Sequence, residues 1–264
     1  MTLHEMGRLH ADRGQEDKAL RLFQDSLEIK ESTGDIQGKA ATLHEVARIS
    51  ARHGRTEEAL KLFGESLKLS EAGVDVKIKA STLHEIAGIF ALQGRLDEAM
   101  GLFQETLSIE QSLGDIQGKA QTLHSMAHFN ADQGRIDDAL KLYGESLELK
   151  EAVGDIQGKA ATLNNMALLV FQAGRIDEAK SLFQETVAIL AQCHAWNDLV
   201  KALCNLSHAE GGHGISLLAQ AAWLMLRVAV PLPNCFGIIA ALFNQTPPGD
   251  ALEALLAAWA AHRL

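Results

Sequence analysis

The chain runs to 264 residues, 47% of them apolar and 22% charged, a balance that suits an ordinary globular protein with a sizeable core. Only 4 prolines and 5% aromatics argue against an all-β or disordered chain. A formal net charge of −10 speaks against non-specific nucleic-acid binding, which needs a cationic surface.

Met1 leads straight into helical sequence with Glu5 and Arg8, which predicts no secretory signal and a cytoplasmic protein. From here the chain repeats itself every 40 residues: Gly14, Gly54, Gly94, Gly134 and Gly174, then Ala19, Ala59, Ala99, Ala139 and Ala179, and Leu3, Leu43, Leu83, Leu123 and Leu163. The phrase Gly-Asp-Ile-Gln-Gly-Lys-Ala stands at 34–40, 114–120 and 154–160, with a drifted copy at 73–80. Repetition at this period marks an array of stacked helical units. The first copy lacks the residues corresponding to Ile36–Ala40 of the second. Its opening helix is therefore expected to begin inside the pattern with nothing covering that end, unless the chain is a fragment or another copy covers it.

The second repeat shows what one unit predicts. Ala40, Leu43, Val46, Ala47 and Ser50 step by three and four, the signature of one helical face. Asp35 ahead of them is a candidate N-cap, and Gly54 ends the helix at a position that tolerates positive φ. A second helix carries Ala59, Leu62, Phe63, Ser66, Leu67 and Leu69 on one face. Gly73, or Gly34, Gly114 and Gly154 in the other copies, is expected to close it. Each unit is thus a helix A and a helix B that cannot bury their apolar faces alone, and stacking supplies the core. The predicted fold class is all-α, an α-α superhelix (a solenoid) of about six helix-turn-helix repeats.

The pattern resembles the tetratricopeptide repeat over roughly residues 1–230. A small residue lies late in helix A (Gly7, Ala47, Ala87, Ala127, Ala167). An alanine lies early in helix B, an aromatic four later (Phe23, Phe63, Phe103, Tyr143, Phe183), then a small hydroxyl (Ser26, Ser66, Thr106, Ser146, Thr186). The period is longer than the usual ~34 residues, and leucine replaces the customary early tryptophan. Thr-Leu-Asn-Asn-Met-Ala at 162–167 is similar to kinesin light chain and Pins-type adaptors. The organisation reads as five repeats over 1–199, a degenerate sixth over 200–230 (Leu203, Gly214, Ala219, Trp223), and two apolar capping helices over 231–264. The longest apolar stretch, Ile215 to Leu232, is broken by Gln220 and Arg227 and falls short of a membrane span. Cys193, Cys204 and Cys235 lack metal-ligand spacing and read as inert thiols.

The resemblance implies that helix A lines a concave groove for an extended peptide. Helix A residues not needed for the core are then the candidates: in the second repeat Ala41, His44, Glu45, Arg48 and Arg52. Read across the repeats, one rung holds His4, His44, His84, His124 and Asn164. Beside it run Glu5, Glu45, Glu85, Ser125 and Asn165, and one turn on Arg8, Arg48, Gly88, His128 and Leu168. Asn164 and Asn165 match the family's asparagines that hold a peptide backbone, while the glutamates would favour basic residues in the ligand. His44-Glu45 and His84-Glu85 imitate half of a zinc-protease motif, but Arg48 and Gly88 occupy the place of its second histidine. His124 and His128 have the spacing and lack the glutamate. The reading is a protein- or peptide-binding scaffold with no cofactor, metal, nucleic acid, membrane or catalysis. The alternatives are a self-association module acting through the termini and a regulatory domain of a larger protein.

Overall fold

The computed structural model of the chain describes residues 1–73 and 75–210. These residues form α1 (Leu3–Asp12), α2 (Glu16–Thr33), α3 (Ile36–Arg52), α4 (Thr56–Ala72), α5 (Val76–Leu92), α6 (Leu96–Leu113), α7 (Ile116–Asp132), α8 (Ile136–Ala152), α9 (Ile156–Gln172), α10 (Ile176–Gln192) and α11 (Trp196–Glu210), with no strand among them. They fall into two compact units, Met1–Met126 and a second beginning at Ala127. In the first, α1 packs on α2, α3 on α4 and α5 on α6, and each pair rests on the next through α2–α3 and α4–α5. The second repeats this with α8–α9, α9–α10 and α10–α11. The fold is the expected all-α stack of helix pairs. The second half of the expected sixth repeat, with Gly214, Ala219 and Trp223, lies outside the described residues. So do Cys235 and the expected cap at 231–264.

Local chemistry explains the boundaries. Asp35, Asp75 and Asp155 each accept the backbone N–H three residues on, at 2.9, 3.0 and 2.8 Å, which satisfies an orphan donor of the odd-numbered helices. Helix α3 ends at Arg52, and Gly54 follows at φ 71°, a conformation that costs glycine nothing. The even-numbered helices begin without a side-chain cap, yet acidic pairs such as Glu57 and Glu58 fill their first turns, where the helix dipole favours negative charge.

At the start of α1, Thr2 and Glu5 form a reciprocal capping box, Thr2 N–H donating to Glu5 Oε2 at 2.7 Å and Glu5 N–H to Thr2 Oγ1 at 3.2 Å. Gly73 closes α4 as expected, as a right-handed residue at φ −85°, whereas Gly34, Gly114 and Gly154 sit at φ 70°, 65° and 70°. Gly73 stands one register place earlier than they do.

The core is built around the aromatic of each even-numbered helix. Phe23, Phe63, Phe103, Tyr143 and Phe183 are all fully buried, each contributing about 1.5–3 kcal/mol of apolar burial. Phe63 packs with Ala47 and Ala59 of its own pair and with Ile86 and Ile89 of the next. Phe23 lies so close to Gly7 that a Cβ there would come within 2.5 Å of the ring. Ser66 Oγ ties its pair together by donating to the Ala40 carbonyl at 2.8 Å.

Burial on α3 is two-sided, which the apolar period alone did not predict. Thr42, His44 and Ile49 are buried in addition to Ala40, Leu43, Ala47 and Ser50. Helix α3 touches α1 and α5 as well as α2 and α4, so its second face meets neighbouring odd-numbered helices.

Candidate functional site

The histidine rung enters that second seam. His4, His44 and His84 bring Nδ1 to 3.1, 3.0 and 3.0 Å from the hydroxyls of Thr42, Thr82 and Thr122, each one repeat ahead. Their rings lie 5.7, 5.5 and 5.6 Å from those of Phe23, Phe63 and Phe103, the tilted geometry that aromatic quadrupoles prefer. His44 is only 6% exposed. The expectation that it stands clear of the core is therefore wrong for this side chain, because the seam between odd-numbered helices closes over it. Thr42 Oγ1 donates to the Gly38 carbonyl at 2.8 Å, so its single proton is spent and His4 Nδ1–H must be the donor. Burial, with nearby cations, holds His4 and His44 down to about 4 and 3, and burial alone holds His84 to about 4. All three rings are neutral at physiological pH.

The next rungs are partly exposed on the first unit and pair both within and across helices. Arg8 reaches Glu45 at 3.5 Å, and Arg48 reaches both Glu45 at 3.1 Å and Glu85 at 3.3 Å. Burial pushes the Glu85 carboxyl up, against the opposing pull of Arg48. Glu5 is exposed and held below its usual range by the Thr2 N–H. The ladder stops at the third repeat: Gly88 faces open space, and Ser125 turns its hydroxyl to His84 Nε2 at 3.4 Å. Beside it opens a recess of about 410 Å³, walled by Arg8, Glu45, Arg48, Lys77, His84 and Glu85 with the buried Glu110 behind.

Glu110 and its register partners were not singled out from the sequence. The place holds Lys30, Ser70, Glu110, Lys150 and Leu190, and Lys30, Glu110 and Lys150 each meet the threonine twelve residues on. Lys30 Nζ donates to Thr42 Oγ1 at 2.9 Å and to the Gly38 carbonyl at 2.8 Å. Lys150 Nζ donates to Thr162 Oγ1 at 2.8 Å. Glu110 reverses the polarity: Thr122 Oγ1 donates to its Oε1 at 3.0 Å, and its Oε2 is buried with no hydrogen-bond partner. Burial pushes this carboxyl up to about 7, although the Thr122 hydrogen bond opposes the shift. The signal was a polar residue recurring at the end of helix B beside a threonine that never changes through the middle repeats.

The tetratricopeptide-repeat family profile matches residues 1–72, 78–152 and 118–192. The chain belongs to the tetratricopeptide repeat family. No curated protein matches the sequence. Among solved structures, BtubC (BKLC) from P. vanneervenii superposes with a TM-score of 0.64 at 18% identity, covering 85% of this chain and 91% of that one. A signal-transduction ATPase with a tetratricopeptide repeat sensor from Pyrococcus horikoshii superposes at 0.75 and 16% identity. It covers 99% of this chain, which spans only 41% of that protein. A Rap protein complexed with competence and sporulation factor superposes at 0.66 and 14% identity, covering 96% of this chain and 75% of that one. Identities this low show a shared fold.

In the second unit of this tetratricopeptide chain the candidate asparagines line a smaller recess of about 200 Å³ with Gln157, Leu190 and Lys201. Asn164 Oδ1 already accepts from Asn205 Nδ2 at 3.0 Å, and Asn165 hydrogen-bonds the Tyr143 hydroxyl. His124 is half-buried and interacts with its surroundings. His128 is exposed and lies 3.1 Å from Asp132. No group of three potential metal ligands comes together among the described residues, and none of their helices is long and apolar enough to cross a membrane.

Proposed function

We propose that this tetratricopeptide chain is a protein-interaction adaptor that takes an extended peptide along the exposed face of its odd-numbered helices. The observation carrying this reading is the recess of about 410 Å³ bordered by charged residues from successive helices A, within the size range of ligand sites. Glu5, Arg8, Glu45, Arg48 and Glu85 are not needed for the aromatic core, and the ion pairs among the last four form a polar track beside that recess. A peptide crossing it would exchange partly exposed pairs for charge-assisted hydrogen bonds of its own. The alternating acids and bases suit a ligand with polar side chains, basic ones where the arginines run out beyond Arg48. The Rap protein, complexed with competence and sporulation factor, supports the view that this fold serves recognition. The reading assigns the chain no catalysis.

The test begins with peptides selected from a random display library on the intact protein. Glu45→Gln with Glu85→Gln should weaken the selected peptides at least tenfold while circular dichroism stays helical. Glu65→Gln with Glu145→Gln, on exposed positions of α4 and α8, should leave affinity within twofold. Equal losses from both pairs, or loss only from the second, would remove the helix A face as the binding surface.

A further inference from the structure

We infer that the recess beside Glu110 receives the cationic end of a lysine or arginine side chain carried by the bound peptide, a refinement that rests on the peptide-binding reading above. The first support is an incomplete site. Glu110 is 6% exposed, lines the recess, and leaves Oε2 without a partner. Buried polar atoms are nearly always satisfied, and an orphan calls for a missing donor. The second support is the chain's own precedent. At the same register place Lys30 and Lys150 supply an ammonium to the threonine of the next repeat. The equivalence is spatial as well as sequential. A Cβ on Gly38 would meet Lys30 Cε at 2.8 Å, and one on Gly118 would meet Glu110 Oε1 at 2.8 Å. The third repeat thus offers acceptors where the first and fourth carry their own cation.

The surrounding charges favour the same guest. Glu45 is engaged by Arg8 and Arg48, Glu85 by Arg48, and Asp115 accepts the Gly118 N–H at 2.8 Å. Glu110 is therefore the acid at this recess with an oxygen to give. An entering ammonium or guanidinium forms a charge-assisted bond to Oε2, stronger than a neutral one. An anionic guest would instead face carboxylates from α3, α5, α6 and the turn before α7.

Binding also moves a proton. Burial raises the Glu110 carboxyl to about 7. The charged and titratable groups that line the recess with it are Arg8 on α1, the paired Glu45 and Arg48 on α3, Lys77, the neutral His84 and Glu85 on α5, and Asp115 before α7. A cation held at Oε2 favours the carboxylate, so the site releases a proton on binding, and affinity rises as the pH goes from 6 to 8.

The experiment uses the full chain and pools of nine-residue peptides, randomised except for a central Lys, Arg, Gln or Glu. Fluorescence polarisation should show the Lys and Arg pools binding at least tenfold tighter than the Gln pool at pH 8, with the gap narrowing at pH 6. Glu110→Lys gives the third repeat the cation that the first and fourth carry, so it folds as they do. It should erase the basic preference, and Glu110→Gln should cut it at least fivefold. A Lys preference unchanged in both variants, or no preference in the wild type, overturns this inference and leaves peptide binding standing. Failure of every pool to bind the wild type overturns peptide binding itself.

Discussion

The junctions around Lys30 and around Glu110 share one frame and carry opposite charge. In both, a threonine of the next repeat receives a histidine N–H and faces a polar side chain from the end of an even-numbered helix. At Lys30 the ammonium satisfies Thr42 and the Gly38 carbonyl together, and the hydroxyl proton points back along its own helix. At Glu110 the hydroxyl turns outward to the carboxylate, and one oxygen is left over. The difference shows that a duplicated scaffold holds its geometry through the histidine, threonine and aromatic. The remaining position is free to become either a finished contact or an opening for a ligand.

The comparison breaks most severely if the shared frame is removed. His44→Ala deletes a buried ring between Phe63 and Thr82, and should cost about 3 kcal/mol through the cavity and the lost donor to Thr82. Urea denaturation measures this, and a loss below about 1 kcal/mol would mean that the histidines are not structural. Lys30→Glu should import the unsatisfied acid into the first junction at a cost of about 2 kcal/mol at pH 8. A neutral result would show that the junction tolerates either sign.

A smaller effect sharpens the contrast through pH. His4, His44 and His84 titrate at about 4, 3 and 4 rather than the usual 6.5. The unfolded chain therefore takes up protons that the folded chain refuses. Their stabilisation is complete above 6.5 and is lost as the pH falls through 6.5 toward 4. Glu110 runs the other way, raised from 4.5 to about 7. Its neutral form is kept by the folded chain, so this contribution is complete below 4.5 and is lost as the pH rises through 7. Glu110→Lys should gain about 1 kcal/mol at pH 8 and flatten the alkaline side of the melting-temperature profile, leaving the acid side unchanged. Loss of both slopes would tie Glu110 to the histidines rather than to its own titration. The smallest expected change is Glu65→Gln on the exposed side of α4, within about 0.5 kcal/mol by thermal melting.

Much of the architecture was legible because duplication printed it every 40 residues. The alanine, aromatic and small-hydroxyl places announced the core, and Asp35 and Gly54 announced the helix ends. The candidate site was only half legible. Arg48 and Glu85 are partly exposed, as their polarity suggested, but His44, on the same helix as Arg48, is buried. Side-chain polarity alone cannot separate a solvent-facing rung from one that hydrogen-bonds a neighbour inside a seam.

What the sequence determined alone was the helix pair, because spacing along one helix and the caps at its ends are local properties of the chain. What only the tertiary structure decided was the traffic between pairs. Helix α3 is covered on two sides, and its second face becomes interior only when α1 and α5 arrive. The same arrival makes Thr122 a partner of His84 and brings Glu110 beside a recess with one carboxylate oxygen unbonded. Contacts thirty-eight residues apart, as between His84 and Thr122, depend on how one repeat stacks on the next. The 40-residue period implies that stacking without fixing which polar atoms it leaves satisfied.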